Sequence, residues 1–174
     1  MSSRVRRLYA VTPEEPDTEV LARKVREALL GGARMVQYRN KTGTSALRHE
    51  QCATLLALCR AAGAPFIVND DLDLALSVGA DGLHLGRDDI PVGIARARLG
   101  DSLLLGTSCY DRLGLAVAAR DAGADYVAFG SAFPSTTKPG APRASSALYR
   151  EAKSRRDCPI VAIGGITLEN TQTL

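Results

Sequence analysis

Residues 123–130, Gly-Ala-Asp-Tyr-Val-Ala-Phe-Gly, contain the pattern on which the prediction of the fold rests. A Gly-Ala pair, at which a helix would end, is followed at once by an apolar run that would form a strand. The same pattern occurs at residues 32–36 and 79–83. Glycine just past a helix end accepts the left-handed backbone conformation at little steric cost. The repeat therefore predicts a chain in which helices and strands alternate with short links.

Short apolar runs recur along the chain, and each is predicted to be a strand. Most are apolar nearly throughout, as parallel strands covered on both faces must be. Amphipathic segments lie between them, with Leu21, Val25 and Leu29 on one face of the first helix and Cys52 and Cys59 on one face of the second. The seven predicted strands are residues 8–12, 35–39, 66–69, 82–85, 103–107, 126–130 and 160–163.

Strict alternation of strand and helix predicts an α/β fold with a parallel sheet and right-handed crossovers. An eightfold TIM (β/α)8-type barrel and an open doubly wound sheet both satisfy this order. Polar residues follow almost every predicted strand, and a barrel would gather these strand ends into one ring, so we expect the barrel. No Gly-x-Gly-x-x-Gly follows the first strand, which argues against a dinucleotide-binding fold.

The chain length of 174 residues suits one domain. We expect residues 1–174 to form a single (β/α) barrel domain, truncated after strand 7, with the eighth βα unit missing. Strands one and seven would then be unpaired edges, which promote association. Formation of a homo-oligomer is left open.

Composition excludes several classes of partner. The formal charge of +3 suits an anionic substrate, but with 5% aromatics and scattered basic residues it does not predict a nucleic-acid surface. No apolar stretch approaches the roughly 18–20 residues that a membrane span needs, and residues 1–7 lack the apolar core expected of a signal peptide. None of the four cysteines forms a Cys-x-x-Cys pair. We therefore expect a reduced, cytoplasmic protein.

Two cations and an amide stand at the end of the second predicted strand. Gln37, Arg39 and Lys41 alternate, so in extended chain they would project to the same side. Arginine offers a two-pronged donor and lysine a point charge, and both suit a phosphate or diphosphate. The alternative is a solvated strand end, but Arg39 lies in an otherwise buried run, where an unpaired cation is costly. The pattern favours an anion site.

Carboxylates follow the third and fourth strands. Asn69-Asp70-Asp71 ends the third, and Asp88-Asp89 follows the fourth. Mg²⁺ usually takes one or two carboxylates together with substrate phosphate oxygens and water. Any of these aspartates would equally suit the positive N-terminus of the next helix. The sequence leaves metal binding and helix capping open.

The remaining strand ends have weaker signals. Ser108 would hydrogen-bond a heterocycle or cap a helix, and Cys109 beside it has no nearby histidine to act as a base. Hydroxyls and a lysine between prolines in the loop after strand six suit an ordered anion site or a surface turn. Paired glycines after strand seven, including Gly165, let backbone N–H groups approach a phosphate. His84 is expected to be a core imidazole.

Six stretches, in this order, resemble the thiamine-phosphate synthase (thiamine-phosphate pyrophosphorylase) family. They are residues 37–41 (QYRNK), 68–71 (VNDD), 79–86 (GADGLHLG), 123–130 (GADYVAFG), 134–139 (PSTTKP) and 161–167 (VAIGGIT). The resemblance implies a Mg²⁺-dependent transferase of thiamine biosynthesis. Such an enzyme joins the hydroxymethylpyrimidine group of a diphosphate to thiazole phosphate, giving thiamine phosphate and pyrophosphate.

The resemblance also implies a role for each matching position. Gln37, Arg39, Lys41 and Asn69 would bind the pyrimidine diphosphate, and Asp70 and Asp89 would hold Mg²⁺. The other substrate contacts would be Ser108 to the pyrimidine, Ser135 and Thr137 to the thiazole phosphate, Lys138 to the pyrophosphate and the Gly165 backbone to phosphate. Arg39 and Lys138 would be the catalytic residues.

Arg87 stands where the family usually has glutamine, and no eighth strand is predicted. Two alternatives therefore stay open. One is a related thiazole tautomerase, an isomerase that would need a nearby general base, whereas Ser108 is followed by Cys109 and Tyr110. The other is a non-catalytic remnant that binds ligand without turnover.

Overall fold

The computed structural model describes residue 5, residues 8–134 and residues 142–173. Strands and helices alternate in the part of the chain that it describes. The strands are β1 Leu8–Val11, β2 Ala33–Tyr38, β3 Phe66–Asn69, β4 Gly82–Leu85, β5 Leu104–Tyr110, β6 Tyr126–Phe129 and β7 Ile160–Ala162. The helices are α1 Thr18–Leu30, α2 Ser45–Ala61, α3 Leu72–Val78, α4 Val92–Leu99, α5 Leu113–Asp121 and α6 Ser146–Arg155, followed by a short 3₁₀ helix at Thr171–Thr173.

The strands follow one another in the sheet in the order in which they occur in the chain. Every strand pairing for which a register is defined is parallel. The chain divides into two compact units, one of residues 1–84 and 99–104 and one of residues 85–98 and 105–174. The predicted α/β class with parallel strands is confirmed, whereas barrel closure, a single domain and truncation after strand seven stay predictions.

The first unit packs helices α1 and α2 over strands β1 to β3. Asp17 begins α1 by accepting hydrogen bonds from the backbone N–H groups of Glu19 and Val20, at 2.9 and 3.0 Å. Leu21, Val25 and Leu29 are buried, as their spacing predicted. Cys52 and Cys59 are fully buried on α2, so the core-packing interpretation of these two cysteines is confirmed.

The second unit pairs β5, β6 and β7 and covers them with α5 and α6. Gly106 of β5 lies against the ring of Tyr126 on β6, where any Cβ would overlap the ring. The core beside these strands contains Val127, Phe129 and Ala152. In both units the strands lie within about three residues of their predicted bounds, and the largest difference is at the end of β5. Within the described residues, no helix is both long and apolar enough to cross a bilayer.

The repeated Gly-Ala-Asp pattern has a structural explanation. Asp81 Oδ2 accepts a hydrogen bond from the backbone N–H of Phe66, at the start of β3, at 2.8 Å. Asp125 Oδ2 accepts from the N–H of Leu105, near the start of β5, also at 2.8 Å. In each case a carboxylate at a helix-to-strand link satisfies a backbone donor of the preceding strand. Each aspartate thereby helps to fix two consecutive strands side by side.

Candidate active site

The end of β2 differs from the extended strand that the sequence predicted. Gln37 lies in the strand, is 5% exposed, and donates a hydrogen bond from Nε2 to the hydroxyl of Tyr9 at 2.9 Å. The strand ends at Tyr38, so Arg39 and Lys41 lie in the loop that follows and do not continue the alternation. Because the chain turns here, the two cations do not simply extend the face that Gln37 occupies.

Arg39 is paired with a carboxylate from the loop before α1. Its guanidinium Nη1 lies 3.1 Å from Glu14 Oε1. The backbone N–H of Arg39 donates to Thr12 Oγ1 at 3.0 Å. A hydrogen bond from the Thr42 hydroxyl and the charge of Arg39 lower the pKa of Glu14, so its carboxylate stays ionised. Glu14 therefore supplies a countercharge within the chain, and Arg39 is a partly exposed, paired cation; its assignment to an anion site stays a prediction.

Lys41 and Asp70, two residues that the sequence assigned to one site, contact each other directly. Lys41 Nζ lies 2.7 Å from Asp70 Oδ2. Asp70 has a φ of +65°, a backbone conformation that residues other than glycine rarely adopt. The next residue, Asp71, caps α3 by accepting from the N–H of Leu74 at 2.9 Å. The capping role thus falls to Asp71, and the carboxylate of Asp70 is directed at a cation instead.

A neutral histidine lies beside this acidic segment. His84 is buried, and burial lowers its pKa to about 4 although the charge of Asp70 opposes the shift. Its backbone carbonyl accepts a hydrogen bond from the N–H of Asp70 at 2.8 Å, and it pairs in register with Asn69. The expected core imidazole is confirmed. His84 fixes the backbone that presents Asn69 and Asp70 and adds no charge at neutral pH.

In the second unit, the loop after β4 holds both an acid and a cation. Asp89 Oδ2 accepts a hydrogen bond from the N–H of Gly86 at 2.6 Å, which folds the loop back on itself. The guanidinium of Arg87 lies over the ring of Tyr110, 4.4 Å from its centroid, and the Arg87 N–H donates to the Tyr110 hydroxyl at 3.3 Å. Within the described residues, no carboxylate forms an ion pair with Arg87.

Ser108 and Cys109 lie near the end of β5 and differ in exposure. Ser108 is half-buried and pairs in register with Ala128 of β6. Cys109 is 1% exposed, and burial raises the pKa of its thiol to about 12. A protonated, inaccessible thiol is a poor nucleophile. The geometry therefore argues against covalent catalysis by Cys109.

The glycines after β7 are needed for close packing of backbones. Gly164 and Gly165 have φ values of +96° and +65°. A Cβ on Gly165 would overlap the carbonyl oxygen of Pro134, and one on Gly164 would overlap Ser131. The absence of a side chain at these two glycines therefore allows the loop after β7 to pack closely against the loop after β6. Ser135, Thr137 and Lys138 belong to that second loop but lie outside the described residues.

The carboxylates at the strand ends are donors of the type that Mg²⁺ prefers. Within the described ranges, no three or more His, Cys, Asp or Glu side chains are grouped to enclose a metal ion. Mg²⁺ does not need such a cage, because it binds through one or two carboxylates together with phosphate oxygens and water. Carboxylates such as Asp70, which already binds a cation at 2.7 Å, have the right chemistry.

Comparison with known proteins agrees with the sequence resemblance. The family model described as "Thiamine monophosphate synthase" matches residues 8–174. The thiamine-phosphate synthase of Thiobacillus denitrificans is 56% identical over 167 residues, covering 96% of this chain and 79% of that protein. That of Aromatoleum aromaticum is 51% identical over 168 residues, covering 97% and 81%.

The fold agrees as well. The solved structure titled "Thiamine phosphate pyrophosphorylase from Pyrococcus furiosus" superposes with a TM-score of 0.83 at 36% identity, covering 97% of this chain and 79% of that chain. The structure is that of an α/β protein with parallel strands, whose ends carry polar and charged side chains. The chain belongs to the thiamine monophosphate synthase family.

Proposed function

We propose that the chain is a transferase that makes thiamine phosphate from hydroxymethylpyrimidine diphosphate and thiazole phosphate, in thiamine biosynthesis. The observation that supports it most directly is 56% identity over 96% of the chain to a thiamine-phosphate synthase. In the reaction the bond between the pyrimidine methylene carbon and the diphosphate oxygen breaks, and its electrons leave with the pyrophosphate. The thiazole nitrogen then donates its lone pair to that carbon and becomes a cationic ring nitrogen.

Negative charge grows on the departing diphosphate, so the site must provide positive charge there. Arg39 and Lys41 are the cations at the end of β2, and each is held by one carboxylate, Glu14 and Asp70 respectively. Both pairs are partly open to solvent, with 29% and 54% of the Arg39 and Lys41 side chains exposed. An incoming diphosphate offers more negative charge than one carboxylate does. Because the two cations are already partly solvated, they can turn to the diphosphate without a large desolvation cost.

Asp70 and Asp89 are the proposed ligands of Mg²⁺. When bound, the ion would neutralise charge on the diphosphate and its leaving group. Asp71 caps α3 and pairs with Arg48 at 3.0 Å, whereas the neighbouring Asp70 contacts Lys41, a proposed diphosphate cation. Asp89 is held in place by the N–H of Gly86, so its carboxylate is already oriented before any ion binds.

The other assignments follow the family resemblance residue by residue. Gln37 is fixed by Tyr9, and its position two residues before Arg39 suits the proposed contact with the diphosphate. Asn69 lies in the strand end that leads to Asp70, and Ser108 is the proposed contact to the pyrimidine. The remaining proposed contacts are the backbone of Gly165 to phosphate, Ser135 and Thr137 to the thiazole phosphate, and Lys138 to the pyrophosphate.

Arg87 is proposed to strengthen binding of the diphosphate in this chain. It is exposed, stacked on Tyr110, and located two residues before Asp89. Stacking on an aromatic face orders an arginine while its N–H groups stay available. This arrangement suits a cation that meets an anionic substrate better than one that serves only stability.

The test is an assay of purified protein with both phosphorylated precursors and Mg²⁺. Thiamine phosphate and pyrophosphate should form in equal amounts, and a chelator should stop the reaction until Mg²⁺ is restored. Tight precursor binding without product would instead support the non-catalytic alternative. Isomerisation of a thiazole phosphate precursor in the absence of the pyrimidine would support the tautomerase.

A further inference from the structure

Gln51 lies on the buried face of α2 with 0% of its surface exposed. A core amide is tolerated only when its donors and acceptors are paired. Its Oε1 accepts hydrogen bonds from the Tyr38 hydroxyl at 2.8 Å and from Asn40 Nδ2 at 3.1 Å. Its Nε2 donates to the carbonyl oxygen of Glu15 at 2.7 Å. One side chain thus connects α2 to the end of β2, the loop after β2 and the loop before α1.

Asn40 transmits this contact to the proposed substrate cations. It stands between Arg39 and Lys41, and its Oδ1 accepts from the backbone N–H groups of Thr42 and Gly43, at 3.3 and 2.8 Å. The oxygen of the Asn40 amide therefore closes the turn, while its nitrogen donates to the buried Gln51. If that nitrogen were released, the turn that separates the two cations would lose its attachment to α2.

The bond from Gln51 to Glu15 acts on the same loop from the other side. Glu14, the preceding residue, pairs with Arg39 at 3.1 Å and accepts from the Thr42 hydroxyl at 2.8 Å. Fixing the carbonyl of Glu15 therefore also limits where the Glu14 carboxylate can lie. Burial raises the pKa of the Tyr38 phenol to about 12, so its hydroxyl remains a donor at physiological pH and keeps the Gln51 amide in one orientation.

We infer that Gln51 is a positioning residue for the reaction: acting through Asn40 and Glu15, it sets the geometry in which Arg39 and Lys41 meet the diphosphate. This inference rests on the proposed function. The alternative is that Gln51 only stabilises the fold. The two roles differ in outcome, because a stability role lowers the melting temperature alone, whereas a positioning role also weakens binding of one particular substrate.

The experiment compares Gln51→Met with Leu56→Ala in steady-state kinetics at least 15 °C below each melting temperature. Methionine has a similar volume but leaves three polar partners unpaired. Leu56 lies on the same buried face of α2, and its truncation removes core packing without removing a hydrogen bond of this network. A misplacement of positioning groups by about 1 Å can lower the reaction rate by up to roughly 100-fold. We expect Gln51→Met to raise the KM for the pyrimidine diphosphate about tenfold and to leave the KM for thiazole phosphate unchanged.

Leu56→Ala should lower the melting temperature while both KM values stay at the wild-type level. If Gln51→Met behaves like Leu56→Ala, the positioning role is wrong while the proposed function stands. If wild-type protein forms no thiamine phosphate, the proposed function itself fails, and the inference with it. Should Gln51→Met not fold, Asn40→Asp is the second variant, because it keeps the acceptor for Thr42 and Gly43 and loses the donor to Gln51. It should raise the same KM, and an unchanged value would contradict the inference.

Discussion

Lys41 Nζ and Asp70 Oδ2 lie 2.7 Å apart, so a proposed substrate cation and a proposed metal ligand neutralise each other in the protein alone. The two side chains are 54% and 24% exposed. Ion pairs this open to solvent contribute at most about 1 kcal/mol to stability. Stability thus gives little reason for a carboxylate in a left-handed backbone conformation at this position. The proposed site gives a better reason, because Lys41 would exchange Asp70 for the diphosphate of the substrate and Asp70 would exchange Lys41 for Mg²⁺.

Asp70→Asn should therefore separate activity from stability. We expect turnover to fall at least about 100-fold, because the amide is a poor Mg²⁺ ligand and charge on the departing diphosphate would be less well neutralised. The melting temperature should change by less than about 3 °C. The measurements are kcat/KM and differential scanning calorimetry.

Asp71→Ala is the matched control for this prediction, since it changes the adjacent aspartate. It removes the α3 cap and the partly exposed ion pair with Arg48, and should cost about 1–2 kcal/mol of stability while most of the activity remains. Equal activity losses in the two variants would contradict the division of roles between these neighbours.

Arg39→Ala should abolish most turnover while the protein stays folded. The hydrogen bonds to Thr12 involve the backbone of Arg39, so they survive the loss of the side chain. We expect kcat/KM to fall by about 100-fold or more, and Arg39→Lys to recover only part of it because lysine lacks the two-pronged donor. Lys24→Ala removes another cation from an exposed ion pair of the same unit and should leave kcat/KM unchanged. The same loss is predicted for Lys138→Ala.

Arg87→Gln should weaken the diphosphate substrate selectively. We expect its KM to rise roughly fivefold, a modest change because the contact is exposed and screened by solvent. Arg150→Gln makes the same charge change at an exposed position on α6 and should have no effect on KM. Equal KM values in the two variants would remove Arg87 from the site.

The buried thiols should make stability depend on alkaline pH. Burial raises the pKa values of Cys52, Cys59 and Cys109 to about 12, above the ordinary value near 9. Between these values the unfolded chain loses protons that the folded chain retains, so the free energy of unfolding should fall as pH rises from about 9 to about 12. Urea titrations across this range would measure the effect.

Cys109→Ala should reduce that alkaline slope and leave turnover within about threefold of wild type, because a protonated buried thiol takes no part in the chemistry. A large loss of turnover in a folded Cys109→Ala protein would return this residue to the site. The native thiols should also react with a thiol reagent at pH 8 far more slowly than those of the unfolded protein.

Strand positions were predictable because they depend on local pattern. The apolar runs at β3 and β4 have the bounds that the sequence indicated, since strands buried on both faces exclude polar residues. Helix ends at Gly79 followed from the same logic, and this glycine has a φ of +69°. Glu14 was missed because it lies 25 residues from Arg39 in a polar loop, where nothing in its neighbours marks it as a partner.

The alternation of strands and helices could be predicted from the sequence alone, and so could the family and the identity of the polar residues at the strand ends. Each of these depends on residue type and order along the chain. The pairing of charged side chains, in contrast, could be identified only in the folded protein. Arg39 pairs with Glu14, Lys41 pairs with Asp70, and Asp71 caps α3. Distances between residues remote in sequence depend on how loops turn, and the buried amide of Gln51 controls one such turn through contacts that no local pattern encodes.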